Sequence, residues 1–163
     1  MSMNLWPPFL FSGIKITDLP EDFLSATVRL RLRWWNRNVA GVLFGGSLFA
    51  MTDPFWMMLL LRHLGKENVI WDRAAEIDFI KPGKGDVVAH FAITEADIER
   101  LRKAAAGGAK VLEWFTVEVR DSSGDVVARV RKQVYLRRKR DLPAAGSPAG
   151  SATLPPLPDQ AVR

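Results

Sequence analysis

An α+β domain, one long buried helix against a curved antiparallel sheet, follows from three features of the sequence. The first is the run from Gly45 to Leu64, ended by Gly65. It is apolar nearly all round, so other elements must wrap it. The second is the alternation Val28-Arg29-Leu30-Arg31-Leu32-Arg33, a period of two that marks a half-buried strand. The third is the pair of alternating segments Lys110–Arg120 and Val126–Arg137 around Asp121-Ser-Ser-Gly124-Asp125, a β-hairpin. A greasy helix and a one-sided sheet bury each other in two layers.

The remaining elements fall into place along the chain. Residues 4–12 read as a short apolar helix started by Pro7 and Pro8. Residues 23–36 form the alternating strand, and 45–64 the central helix, which Pro54 kinks or divides into two pieces. Residues 68–80 read as a strand closed by the turn Lys81-Pro-Gly-Lys-Gly85, and Asp86–Ile93 as another. Thr94 caps a helical insertion over 95–106, stopped by Gly107-Gly108. From 141 to 163, Pro, Ala, Gly and Ser dominate and periodicity ends, which predicts a flexible tail after a single 1–140 domain.

Composition excludes several kinds of chemistry. With no cysteine in 163 residues, there is no disulfide, thiolate nucleophile or thiolate metal site. Two histidines, His63 and His90, leave little for a histidine metal centre, so no metal and no redox cofactor are expected. The N-terminus lacks the pattern of a secretory signal, and a cytoplasmic location is expected. Val39 to Leu61 is long enough to span a bilayer, but Gly45-Gly46 and Asp53-Pro54 interrupt it, so no membrane span is expected. The net charge of +5 suits a polyanionic partner such as nucleic acid, anionic lipid or the phosphates of coenzyme A. No nucleic-acid motif accompanies it, and no such partner is expected.

The chemistry concentrates in Asn38-Val-Ala-Gly-Val-Leu-Phe44-Gly45-Gly46-Ser-Leu-Phe49-Ala-Met-Thr-Asp53. Glycines at a helix start bring bare N–H groups up to a substrate. An Asp in so apolar a segment is costly unless something uses or pairs it. A backbone donor, a carboxylate and an orienting amide are what attack on a carbonyl requires. Phe49, Phe55, Trp56, Met57 and Met58 either line an apolar tunnel or form plain core. Arg137, Arg138, Lys139 and Arg140 either hold phosphates or end the last strand in solvent.

These residues resemble those of the hotdog-fold acyl-CoA thioesterases of the phenylacetate-degradation and 4-hydroxybenzoyl-CoA type. In that family an Asn lies six residues before a His-Gly-Gly, and an acid nine residues after the His. Here Asn38, Phe44-Gly45-Gly46 and Asp53 have the same spacings. The turn after Ile77-Asp-Phe-Ile80 and the final hairpin match as well, so the resemblance covers roughly residues 15–139. It departs at Phe44, which replaces the His, and at the 95–106 insertion.

The resemblance implies a hotdog fold, a curved antiparallel sheet wrapped around a long central helix. It also implies hydrolysis of an acyl-CoA or related thioester, or alternatively a non-catalytic module that binds acyl ligands. Asp53, Gly45 and Asn38 are the implied catalytic residues; Phe44, Gly46, Phe49, Trp56, Met57, Arg137 and Arg138 are the candidates for binding substrate. No cofactor is implied beyond coenzyme A as part of the substrate. Eight positions separate Gly45 from Asp53, about 12 Å along a straight helix. If both act on one substrate, Asp53 must come from a second copy, as in a two-fold homodimer; the resemblance implies such dimers, often paired into a homotetramer.

Overall fold

The computed structural model describes residues 3–140; the expected tail at 141–163 lies outside the described residues. Four helices and six strands follow a short 3₁₀ turn: α1 (Pro7–Ser12), β1 (Ile14–Asp18), β2 (Ser25–Leu30), α2 (Gly45–Ala50), α3 (Phe55–Leu64), β3 (Asn68–Phe79), β4 (Val87–Ala92), α4 (Glu95–Ala105), β5 (Val111–Asp121) and β6 (Val126–Arg138). The strands form one antiparallel sheet in the order β1-β2-β4-β5-β6-β3. The fold is α+β, with helices packed on one side of the sheet.

Alternation sets which side that is. Ala26, Val28 and Leu30 on β2, Val87, Ala89 and Phe91 on β4, and Val130, Val134 and Leu136 on β6 are all buried. They meet the inward residues Phe55, Trp56, Leu59, Leu60 and Leu64 of α3 in one core. Phe55 stacks on Phe91 at 4.9 Å and Trp56 on Phe115 at 4.7 Å, so aromatic contacts weld helix to sheet.

The structure decides one open alternative and revises two other expectations. The helix over 45–64 is two helices, with Met51–Pro54 forming a turn between them. A residue before proline is disfavoured in helical geometry, so no single helix runs through Asp53-Pro54, and α2 ends at Ala50. The strand within 23–36 covers only Ser25–Leu30, and Trp34–Asn36 form a 3₁₀ turn. A strand absent from the sequence reading, β1, pairs with β2 through Ile14↔Leu30 and Ile16↔Val28. Ile14-Lys15-Ile16-Thr17 alternate, but the strand is only five residues long and buries only Ile14 fully, too short a run to stand out in the sequence.

Two edges remain. One is β1; the other is β3, twelve residues long, paired only with β6. Trp71, Ala74, Ala75, Phe79 and Ile80 are exposed along or just beyond it. An edge of that length, carrying apolar side chains, is a template for pairing with another strand.

Candidate active site at the start of α2

A buried amide shapes the approach to α2. Asn36 Oδ1 accepts from Arg33 N at 2.7 Å, while its Nδ2 donates to Ser12 O at 2.9 Å and Arg31 O at 2.7 Å. These bonds satisfy the side chain and tie the loop to α1 and β2. Phe44 N donates to Asn36 O at 3.0 Å and Leu43 N to Gly83 O at 2.9 Å, which fixes where α2 begins. Asn36 reads from sequence as one more polar loop residue, and only its burial reveals the role.

Gly45 and Gly46 open α2, and their N–H groups donate to no acceptor among the described residues. Helix starts leave such donors free. A Cβ at Gly45 would stand 3.0 Å from the Phe79 ring, and one at Gly46 would collide with the Phe44 ring. Both glycines therefore admit aromatic rings against bare backbone. With only six residues, α2 has little macrodipole; the N–H groups themselves are what it offers an anion. Phe44 is exposed and lines a cleft of about 370 Å³ with Phe11, Trp35, Arg37 and Ser47.

Asp53 closes the turn between α2 and α3. Its carboxylate binds Lys132, whose side chain is only 4% exposed while that of Asp53 is 50% exposed. Lys132 Nζ also donates to Asp72 Oδ2 at 3.0 Å and lies 5.7 Å from the Phe49 ring centre. The cation is thus shared between two carboxylates, one toward solvent and one inside. Burial pushes the Asp72 carboxyl above the ordinary range, against the opposing pull of Lys132. Its second oxygen, Oδ1, is buried without a partner among the described residues.

Lys132 is the residue that sequence reading missed, although the signal was present. The period-two frame through Val130, Val134 and Leu136 puts position 132 on the inward face. A lysine there needs a carboxylate, and Asp53 is in the one apolar segment that supplies one.

The other candidates are not all brought together. Asn38 sits in a turn, where its Oδ1 accepts from Ala40 N at 2.9 Å and Val42 N at 3.3 Å. Phe49 and Met57 are half-buried, and Trp56 lies in the core between Phe91 and Phe115. Arg137 and Arg138 donate to Gly108 O and Ala106 O beyond the C-terminal end of α4. They face the Asn68–Val69 end of β3, whereas Gly45 packs on Phe79 at its other end. At about 3.3 Å per residue, ten positions of strand separate the two by roughly 30 Å. Within one chain these arginines and the start of α2 are not one site.

Solved structures share this arrangement of elements. A Pseudomonas aeruginosa protein, PA5026, described as a probable thioesterase, is 20% identical with a TM-score of 0.74, over 83% of this chain and 91% of that one. The thioesterase HI1161 from Haemophilus influenzae is 12% identical with a TM-score of 0.61, over 83% of this chain and 86% of its own. AziG from S. sahachiroi is 20% identical with a TM-score of 0.61, over 82% and 98%. At such identities the likeness concerns the fold alone, which is of the hotdog type. No curated protein matches the chain. The family described as a domain of unknown function, DUF4442, matches residues 1–136, and the chain belongs to that family.

Proposed function

We propose that the protein hydrolyses an acyl-CoA or related acyl thioester. One observation carries this reading: the Asp53 carboxylate is half-exposed yet held by a buried lysine, in the segment that begins with the free N–H groups of Gly45 and Gly46. A fixed carboxylate that still reaches water suits a general base or a nucleophile. Free N–H groups suit the oxyanion of a tetrahedral intermediate. Asn38, with its Oδ1 engaged in the turn, retains its Nδ2 for orienting a carbonyl or water.

The two functions belong to different copies in this reading. Lys132, which binds Asp53, stands opposite Ala75 of β3, and Gly45 packs on Phe79. Four strand residues separate those positions, about 13 Å. Antiparallel pairing of β3 with its copy, centred near Ile77, sets Ala75 of one strand opposite Phe79 of the other. That register carries Asp53 of the partner subunit toward Gly45, and gives two equivalent sites. It also turns the Arg137–Arg138 end of the partner subunit to the Phe79 side, where phosphates of coenzyme A would extend.

In hydrolysis, the N–H of Gly45 donates to the thioester oxygen as negative charge grows on it. Asp53 of the partner subunit takes a proton from the attacking water, or attacks first and forms an anhydride that water opens. The thiolate leaves and is protonated. Thiol release from short, medium, long and aryl acyl-CoAs tests the reading, with wild type and Asp53→Asn side by side. Release by the wild type and its loss in Asp53→Asn are expected.

A second reading rests on Phe44. An exposed ring with no hydrogen-bonding group stands where the resembled enzymes have His, and with Phe11 and Trp35 it gives the cleft an aromatic wall. In that reading the protein binds acyl ligands without turnover. Saturable acyl-CoA binding, with no thiol release from a folded dimer and unchanged affinity in Asp53→Asn, would establish it.

A further inference from the structure

We infer that the α1 face is a docking surface for an anionic phospholipid bilayer. The inference is independent of whether the site beside it hydrolyses its ligand. No helix among the described residues is long and apolar enough to cross a membrane; the contact would be peripheral.

The charge is one-sided. No Asp or Glu occurs in residues 1–17 or 23–52, where Lys15, Arg29, Arg31, Arg33 and Arg37 all lie. Arg29 pairs with Asp86. Arg31, Arg33 and Arg37 lie within ion-pair distance of no carboxylate among the described residues, whereas Arg29, Arg100, Arg102, Arg120, Arg129 and Arg131 each have one. Unpaired guanidiniums on one face set up a positive potential that an anionic surface relieves.

The apolar side chains are interleaved with these cations. Trp34 is 80% exposed, Trp35 51% and Phe11 73%. Trp35 Nε1 donates to Phe11 O at 3.0 Å, and the two indoles meet edge to face at 5.5 Å. These contacts join the tryptophans and α1 into one surface. A shallow cleft of about 430 Å³ on it sets Leu5 and Leu10 beside Lys15, Arg31 and Arg33.

The mixture selects the partner. Aromatic and aliphatic side chains ringed by Arg and Lys lie at the boundary of headgroups and acyl chains, with indoles at headgroup level and cations on phosphates. A single-stranded nucleic acid would use the rings and the arginines but gain nothing from exposed Leu5 and Leu10. Self-association would bury the apolar groups but bring the unpaired arginines of two copies together. A bilayer uses both. The face also borders the cleft that Phe44 lines, so an acyl-bearing ligand could pass from lipid to site without crossing water.

Cosedimentation of the full-length protein with vesicles tests this. One set contains phosphatidylcholine with about a third phosphatidylglycerol, the other phosphatidylcholine alone, at low salt and at about 0.5 M salt, where screening is short-ranged. The wild type should bind only the anionic set, lose most binding at high salt, and show a blue shift of tryptophan emission. Trp34→Ser, Phe11→Ser and Arg33→Glu should each weaken binding at least fivefold. Lys110→Glu, an equal charge change on an exposed residue near the start of β5, should weaken it less than twofold. No binding to anionic vesicles at low salt would overturn the proposal, as would equal losses in Arg33→Glu and Lys110→Glu. Two further outcomes would also overturn it: tighter binding to a single-stranded oligonucleotide that displaces the protein from vesicles, and association in light scattering that Phe11→Ser abolishes.

Discussion

The stretch from β4 to β6 and the stretch from α1 to the end of α2 have opposite surfaces. In the first, charges alternate and pair: Arg100 with Glu113 at 2.9 Å, Arg129 with Glu118 at 2.9 Å and Arg102 with Glu99 at 2.6 Å. In the second, arginines lie unpaired among exposed aromatic rings and helix N–H groups lack acceptors. Each exposed pair stabilises little, about 0.2–1 kcal/mol, but a surface so paired has little left to offer a ligand. In this contrast β4–β6, apart from the Arg137–Arg138 end of β6, reads as scaffold, and the exposed rings and unpaired arginines are gathered in the first third of the chain. Lys132 and Asp53 join the two halves, because the scaffold strand β6 holds the carboxylate of the other half.

The largest expected effect strikes that joint. Lys132→Met removes the cation between Asp53 and Asp72 and leaves the inner carboxylate without its partner. Loss of one member of a buried pair costs about 3 kcal/mol or more, readable by urea denaturation near pH 7. Asp72 already has a carboxyl held above its ordinary range by burial. Its contribution to stability is therefore greatest when protonated and falls as pH rises through that raised value. Without Lys132 the fall should steepen, and adding Asp72→Asn should recover most of the lost stability. A loss below about 1 kcal/mol would mean that water reaches Asp72 and that the joint is not buried in solution. Thiol release offers a separate readout: Lys132→Arg should retain turnover if the lysine positions Asp53, and Lys132→Met should not.

The same contrast governs what could be read from sequence. In β2, β4, β5 and β6 one face meets the core and one meets water, so the period of two is visible; β4, β5 and β6 were placed to within a residue, whereas β2 ends at Leu30, six residues short of the expected strand. Thr94 announces α4 because a capping hydroxyl and an acid three residues on are a local pattern. The short β1 buries too little to show itself. The division of the long helix was half legible: Pro54 marks the place, but whether the chain bends or breaks there depends on packing. The candidate site was legible as residue types at spacings. Its electrostatics were legible only by half: the strand frame turns Lys132 inward, but its pairing with Asp53, 79 positions away, is set by packing. Likewise Arg137 and Arg138 are a basic cluster in sequence, and only strand register shows which end of the sheet they occupy.

A middle-sized effect is expected at α4, within the scaffold. The Thr94 hydroxyl accepts from Asp97 N at 3.1 Å, and Asp97 Oδ2 accepts from Thr94 N at 3.1 Å. Removing such a cap costs about 1 kcal/mol, the loss expected for Thr94→Ala near neutral pH. The Thr94 hydroxyl is also the chief reason that the Asp97 carboxyl lies below its ordinary range. A lowered carboxyl stabilises the fold above its unfolded value and ceases to do so as pH falls through the folded one. The difference between wild type and Thr94→Ala should therefore shrink below about pH 4. A difference constant from pH 7 to pH 3 would assign the loss to helix propensity rather than to the cap.

The smallest expected effect is at Trp34, and it sharpens the comparison most. A tryptophan normally contributes heavily to a core, but this one is 80% exposed and its ring partner is the half-exposed Trp35. Trp34→Ser should change stability by no more than about 0.5 kcal/mol, as at surface positions generally. In a scaffold element, removal of a packed aromatic would cost several times that. A loss above about 1 kcal/mol would show that the indole packs against its own chain in solution, and the face around it would then be structure rather than surface. Near-neutrality has the opposite meaning. A large apolar side chain that contributes nothing to folding, beside three unpaired arginines, has its use outside the fold, and any loss of vesicle binding in the same variant can then be read without correction for unfolding.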